Sequence, residues 1–286
     1  MNHKNTATVL KNAAVSDYAD HPFYIRSNKF HVYIAQTEQD IKDAQRLRYE
    51  VFFNEMGAAE NETLEKGLDV NSFDAFADHL VVTDVEQGRV VGTYRLLRRE
   101  GAKKHGSFYT QGEFNIDVLV NQSGEILEVS RSCVDVNYRT QSVMRLLWRG
   151  LAEYILHYDV TYLFGCGSFH GTDLKKLAHP LSYLYYNHLL PKETCPRTLE
   201  DHYQSLQILP KDQVDEARAL AEMPPLLRGY MRVGGGIGDG AFVDHAFNTV
   251  DVCVVVDSNC MTPRFAQHFN EHSEQESRFR IQPEKQ

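Results

Sequence analysis

Glu128, Ser130 and Arg131 stand within one short apolar run, Ile126-Leu127-Glu128-Val129-Ser130-Arg131-Ser132-Cys133-Val134. A carboxylate can take up a proton during a reaction, and a guanidinium can hold a carboxylate through paired hydrogen bonds. The run reads as a β-strand, which turns Ile126, Glu128, Ser130 and Ser132 to one face and Leu127, Val129, Arg131 and Cys133 to the other. Glu128 and Arg131 are thus expected on opposite faces of one apolar strand. Beyond it, Val143, Met144, Leu147, Trp148, Leu151, Ile155 and Tyr158 recur at helical spacing, with Arg145, Arg149, Glu153 and His157 on the opposite side. A strand that turns through Asn137 and Tyr138 into this helix leaves free amide N–H groups at the helix start, beside Arg139. Such a place suits an anion.

Other polar constellations carry less chemistry. Asp74, Asp78 and His79 invite a metal reading, but their spacing matches no established ligand pattern, and a histidine beside two carboxylates also serves as a loop anchor. No metal site is expected. Arg48 and Phe52 share a helical face, either as a functional pair or as an arginine stem packed across a ring. Gly234 to Gly240 is rich in glycine but fits no phosphate fingerprint. Gly165-Cys166-Gly167-Ser168, after an apolar strand, allows close backbone approach to a ligand or a bulge.

The elements that must position these residues follow from periodicity. Lys29 to Ala35 alternates as a first strand, and Thr37 with Asp40 opens a helix through Ala44, Leu47 and Val51. Leu80 to Thr83 and Arg89 to Leu97 form a hairpin about Gln87-Gly88, and a short helical segment is expected near Phe114 to Leu119. Val160 to Cys166 is a strand, and Leu174 to Leu190 a helix capped by Thr172 or Asp173. A short acidic helix over 213 to 222, a helix over Leu226 to Val233 and a buried strand over Val250 to Val256 complete the reading. Residues 1-28 lack periodicity and are expected to be a mobile arm, 29-270 the working domain and 271-286 a polar tail.

The 286 residues suffice for a substantial core, and no apolar run is long enough to span a bilayer. A net charge of -9 argues against general nucleic-acid binding, which needs a basic surface. The five cysteines are odd in number with no close paired spacing, and three lie in apolar runs. They read as reduced thiols of a cytoplasmic protein.

The order of elements resembles the GNAT acyltransferase fold: α/β (α+β), a mixed, mostly antiparallel sheet flanked by helices, with a C-terminal extension. Arg48 with Phe52, Phe73-Asp74, Gly92-Thr93-Tyr94-Arg95-Leu96 and Glu128-Val129-Ser130-Arg131 are similar to acyl-homoserine lactone synthases. Asp78-His79-Leu80, Val91 to Leu97, Leu146 to Gly150, Gly165 to Phe169, Pro224 to Tyr230 and Asp244 to Val252 resemble more closely the bacterial N-acyltransferases of ornithine lipid synthesis. The turn Arg139-Thr140-Gln141-Ser142-Val143 lacks the glycines of the acetyl-CoA-using enzymes, and Ala58 and Asn71 depart from the lactone-synthase pattern.

That resemblance implies transfer of a 3-hydroxyacyl group from acyl carrier protein to the α-amine of L-ornithine. The acyl-carrier thioester is a co-substrate, and no cofactor is implied. It further implies Glu128 as the base, amides near Ser130 to Ser132 for the oxyanion, and Arg131 beside them. Arg48, Phe52, Asp74, Asp78 and Arg95 would shape the acceptor site, and Arg139, Arg145 and Arg149 would receive the carrier and its pantetheine arm. The amphiphilic product implies transient peripheral contact with the inner membrane. A lactone synthase or a non-catalytic acyl-binding module are the alternatives.

Overall fold

The computed structural model describes residues 23–59, 67–139 and 141–260, without the side chains of Gln141 and Cys260. The strands are β1 (Tyr24–Ser27), β2 (Phe30–Ile34), β3 (Asp78–Asp84), β4 (Arg89–Arg98), β5 (Phe114–Asn115), β6 (Glu125–Val134), β7 (Val160–His170), β8 (Arg197–Thr198), β9 (Gly236–Asp244) and β10 (Thr249–Asp257). The α-helices are α1 (Glu38–Tyr49), α2 (Arg99–His105), α3 (Asp117–Val120), α4 (Gln141–His157), α5 (Ala178–His188), α6 (Glu216–Glu222) and α7 (Pro225–Arg232).

All ten strands join one sheet in the order β1-β2-β3-β4-β6-β7-β10-β9-β8-β5. Among the described strands, β6 with β7 and β8 with β9 are the parallel pairs. This is the mixed, mostly antiparallel arrangement that the resemblance implies. The long strands are apolar along their length because both faces are covered; β10, for example, is buried from Thr249 to Val256. On one face α4 lays Val143, Leu147 and Leu151 against a core that includes Val32, Leu80 and Val91. Close packing there depends on Gly150, where a Cβ would come within 2.7 Å of Leu80. On the other face α1 packs Ala44, Leu47 and the following Val51 against Val81, Val90 and Cys133.

The expected capping box starts α1: Thr37 Oγ1 accepts from the Asp40 amide at 3.1 Å, and the Asp40 carboxylate accepts from the Thr37 amide at 3.0 Å. The chain then widens into a π-helical stretch, Glu50–Glu55, which carries Phe52 one step off the α-helical stripe.

Three expectations change. Residues 24–27 belong to no arm, because β1 pairs with all of its facing residues on β2 and buries Ile25; residues 1–22 and the expected tail lie outside the described residues. Helix α5 starts at Ala178 rather than Leu174, since Pro180 is tolerated only in a first turn. The segment near Phe114 splits into β5 and the four-residue α3, and the glycine-rich stretch from Gly236 is strand β9. Its glycines admit neighbours: a Cβ at Gly238 would stand 2.6 Å from the Pro196 carbonyl oxygen.

Candidate active site

Two irregularities in the centre of the sheet make a cleft. β6 pairs with β7 only from Glu125 to Glu128. Beyond that point β7 continues with β10 as far as His170, and the two central strands part. Gly165 stands at the fork, where a Cβ would lie 2.2 Å from the Val129 carbonyl oxygen. On its other side β6 bulges: Thr93 faces Cys133 and Arg95 faces Ser130, so Tyr94 opposes both Arg131 and Ser132. Arg131 takes φ 52° to do so, a conformation unusual outside glycine.

The gap is a cavity of about 420 Å³, large enough for a small ligand and part of an acyl chain. Val129 to Val134 form one wall and Leu163 to Ser168 the other, with α7 and the β9–β10 hairpin closing the ends. Backbone groups of β6 thus face open space inside the sheet instead of a partner strand. They are free to bind an extended ligand or an oxyanion.

Behind the bulge lies a buried ionic network. Arg48 Nε donates to Asp69 Oδ2 at 2.8 Å, and its two terminal nitrogens donate to the Asp74 carboxylate at 3.1 and 2.7 Å. Arg95 donates to Ser130 Oγ at 3.0 Å, to Asn71 Oδ1 at 2.6 Å and to Asp74 Oδ1 at 3.2 Å. Arg131 reaches Asp69 Oδ2 at 3.1 Å. Burial works against the Asp74 charge, but Arg48, His79 and Arg95 hold its carboxyl well below the usual range. Burial, then Arg131, brings the Arg95 guanidinium down to about 10, which leaves it charged at neutral pH. Three guanidinium groups against Asp69 and Asp74 leave one positive charge over.

Arg131 presents that charge to the cavity. Its guanidinium carbon lies 4.6 Å from the Phe247 ring centre, 4.9 Å from Tyr109 and 6.0 Å from Phe52. Stacking fixes the group while Asp69 takes only its Nε. A carboxylate on a ligand is the natural complement.

Sequence reasoning placed several of these residues together, and the structure joins Arg48, Asp74, Arg95, Ser130 and Arg131 in one network. Phe52, Ser130, Arg131 and Arg139 line the cavity; Arg48, Asp74 and Arg95 support the wall from behind. Arg139 is engaged, its guanidinium gripping the Glu55 carboxylate and its Nε donating to the Val134 carbonyl at 3.1 Å.

Glu128 does not stand where a base would need to be. It is fully buried and absent from the cavity wall, and its two oxygens accept the amides of Tyr109 at 3.0 Å and Thr110 at 2.7 Å. It anchors the loop that carries Tyr109. Asp78 is also elsewhere, bonded to the Tyr154 hydroxyl and 3.7 Å from Arg98. Asp74, Asp78 and His79 do not converge: His79 Nε2 meets the Asp74 carbonyl oxygen at 3.1 Å, as a loop anchor would. Arg145 is exposed on α4, Arg149 half-buried, and neither borders the cavity.

The site also contains residues that sequence reasoning did not single out. Asp69 links Arg48 to Arg131. Glu113, Asp244 and Asp251 bring carboxylate oxygens within 4.8 Å of one another at the hairpin end. Asp244 and Asp251 fall inside a segment quoted above for its resemblance; Glu113 had no signal, because it arrives from a distant loop.

A model described as Acetyltransferase (GNAT) domain matches residues 47–149, which take in the end of α1, the hairpin, the bulged strand and part of α4. The chain is 38% identical over 251 residues to the L-ornithine N(alpha)-acyltransferase of Rhodobacter capsulatus, covering 86% of this chain and 96% of that protein. It is 37% identical over 253 residues to the enzyme of the same name from Brucella abortus, covering 85% and 90%. The chain belongs to the L-ornithine N(alpha)-acyltransferase family. The cleft between β6 and β7 is accordingly the candidate active site of an acyltransferase. A solved CoA-dependent acyl-homoserine lactone synthase, BjaI with MTA, aligns with the acyltransferase at a TM-score of 0.48 and 15% identity, over 82% of each chain.

Proposed function

We propose that this acyltransferase moves a 3-hydroxyacyl group from the thioester of acyl carrier protein to the α-amine of L-ornithine, giving lyso-ornithine lipid. The observation that carries the reading is the unpaired inner edge of β6, from Val129 to Val134, facing the cavity. A pantetheine arm is a thin chain of amides and methylenes, and such an edge can hydrogen-bond it as a strand would. The relatives named above supply the acceptor.

In this reading the thioester carbonyl lies against the bulge, where amides of Arg131 and Ser132 meet the developing oxyanion. Arg131 holds the acceptor's carboxylate, which directs its α-amine at the carbonyl carbon. Nitrogen bonds to that carbon, the carbon–sulfur bond breaks, and the carrier leaves as a thiolate that takes a proton. The ammonium form cannot attack, so one proton must first pass to water in the cavity. Glu128, committed to two loop amides, has no part in that step.

No helix among the described residues is long and apolar enough to cross a membrane. An amphiphilic product therefore leaves through peripheral contact with the lipid surface. Arg145 on the exposed face of α4 is a docking point for the acidic carrier protein.

The test is the purified chain with L-ornithine and either 3-hydroxyacyl carrier protein or the matching acyl-CoA, the products read by mass spectrometry. N-acylated ornithine, formed faster from the carrier, is expected. Absence of any ornithine product, or a lactone formed when S-adenosylmethionine replaces ornithine, would overturn the reading.

A further inference from the structure

Glu113 follows the loop that Glu128 anchors, Asp244 ends β9, and Asp251 lies on β10. Their carboxylate oxygens gather within 4.8 Å, and both Glu113 and Asp251 are more than nine-tenths buried, at 6% and 4% exposure. Among the described residues neither has a lysine or arginine ion pair. Arg131, the cation whose field reaches both, is already drawn to Asp69. Like charges so placed repel, and burial without a counter-ion penalises each.

Independent polar groups point into the same corner. Glu113 Oε2 and Asp251 Oδ1 are buried without a hydrogen-bond partner, and so is Thr249 Oγ1. Thr249 precedes Asp251 by two residues on the same strand face, and both line the cavity with Asp244. Buried polar atoms are nearly always satisfied, so the oxygens that Asp251 and Thr249 turn to the cavity, with Glu113 beside them, mark a place for a ligand's donor groups. A cationic group rich in N–H is a fitting complement to these oxygens.

We infer that Glu113, Asp244 and Asp251 form a subsite for the side-chain ammonium of the acceptor amino acid, and that this triad makes the enzyme select a cationic over a neutral substrate. An alkylammonium brings three donors to three carboxylates. Arg131 at the bulge takes the carboxylate end of the same molecule, so the cavity is positive at one end and negative at the other. An amino acid with charges at both ends is held in one direction only. Its α-amine is thereby fixed beside the thioester, and a neutral side chain would leave the carboxylates unsatisfied. The inference rests on the acylation reading above and extends it to substrate selection.

At neutral pH the proton that Glu113 keeps lowers the charge this corner carries. Burial, then Asp251, pushes the Glu113 carboxyl up to about 8, and burial pushes Asp251 to about 6. An arriving ammonium displaces the Glu113 proton.

The test separates binding from turnover. Thermal shift with L-ornithine and with L-norvaline, the same carbon chain without the terminal ammonium, is measured without acyl donor on the wild type, Asp251→Asn and Glu113→Gln. The ornithine to norvaline ratio of kcat/KM is then measured with donor. The wild type is expected to gain thermal stability from ornithine and not from norvaline, and each variant to lose at least about tenfold of the selectivity ratio, as for a buried polar contact left unpaired. A ratio within about twofold of wild type in both folded variants would overturn the inference. So would loss of ornithine binding on chelation that returns with a divalent metal, because the triad would then be a metal site. If ornithine binds through the triad but is never acylated, the proposed function fails and the subsite stands.

Discussion

Glu128→Gln distinguishes an anchor from a base. In the structure the carboxylate accepts two backbone amides, Tyr109 at 3.0 Å and Thr110 at 2.7 Å, with no exposure to solvent. Hydrogen bonds to a charged group contribute about 1.5–3 kcal/mol each. Glutamine keeps one acceptor and turns an NH2 group toward the second amide, so one bond is lost and two donors face each other. The expected loss of folding stability is about 2–3 kcal/mol. For a chain of this size that is a fall in Tm of about 4–12 °C, taking about 2–4 °C per kcal/mol. Thermal unfolding followed by circular dichroism reads the shift, and kinetics well below the transition read the consequence for catalysis. Tyr109 lies under the Arg131 guanidinium at 4.9 Å, so a loosened loop should raise KM for the amino acid more than it lowers kcat. A variant as stable as wild type whose kcat falls about a hundredfold, the usual range for a missing base, would refute this reasoning and make Glu128 the base.

Folding stability should fall as pH rises through the range in which the buried acids resist ionising. Below pH 4.5 Glu113 carries its proton in both states; above it the unfolded chain releases that proton while the folded one, with its carboxyl at about 8, retains it. Asp244, Cys166 and Arg131 surround the group, so denaturant titrations of wild type and Glu113→Gln are compared; the variant should gain relative stability from pH 5 to pH 8, and an unchanged difference would count against the burial account. Gly165→Ala places a methyl 2.2 Å from the Val129 carbonyl at the fork. It should destabilise the fold by about 1–3 kcal/mol, the range for overpacking, and raise KM for the acyl donor, which steady-state kinetics would show or deny. Arg145→Glu should weaken use of the acyl-carrier donor while sparing a short pantetheine thioester; equal effects on both would reject the docking role.

Local pattern was enough for the central elements. The apolar run from Ile126 to Val134 is β6 to within one residue, and the stripe from Val143 is α4. Alternation failed at Arg131, because only the pairing with β4 forces the extra residue and the positive φ. The link from Glu128 to the amides of Tyr109 and Thr110 spans a separation of 18 or more residues, so no window along the chain contains it. Glu113 joins Asp244 and Asp251 across more than half of the described fold. The glycines of β9 gave no strand signal because their role is to make room for Leu190 and the Pro196 carbonyl, neighbours that only the tertiary structure supplies.

An exposed rim strand would invite any other polypeptide to add to the sheet. Here the gap between β6 and β7 lies in the interior, with β6 paired to β4 on one side and β7 to β10 on the other. A folded partner cannot enter so narrow a slot, while a single linear tether can be threaded along it. Under the proposed reading, the sheet would thus sort thioester donors by thickness before any side chain reads their chemistry, and a bulky branch next to the sulfur would be refused at the fork.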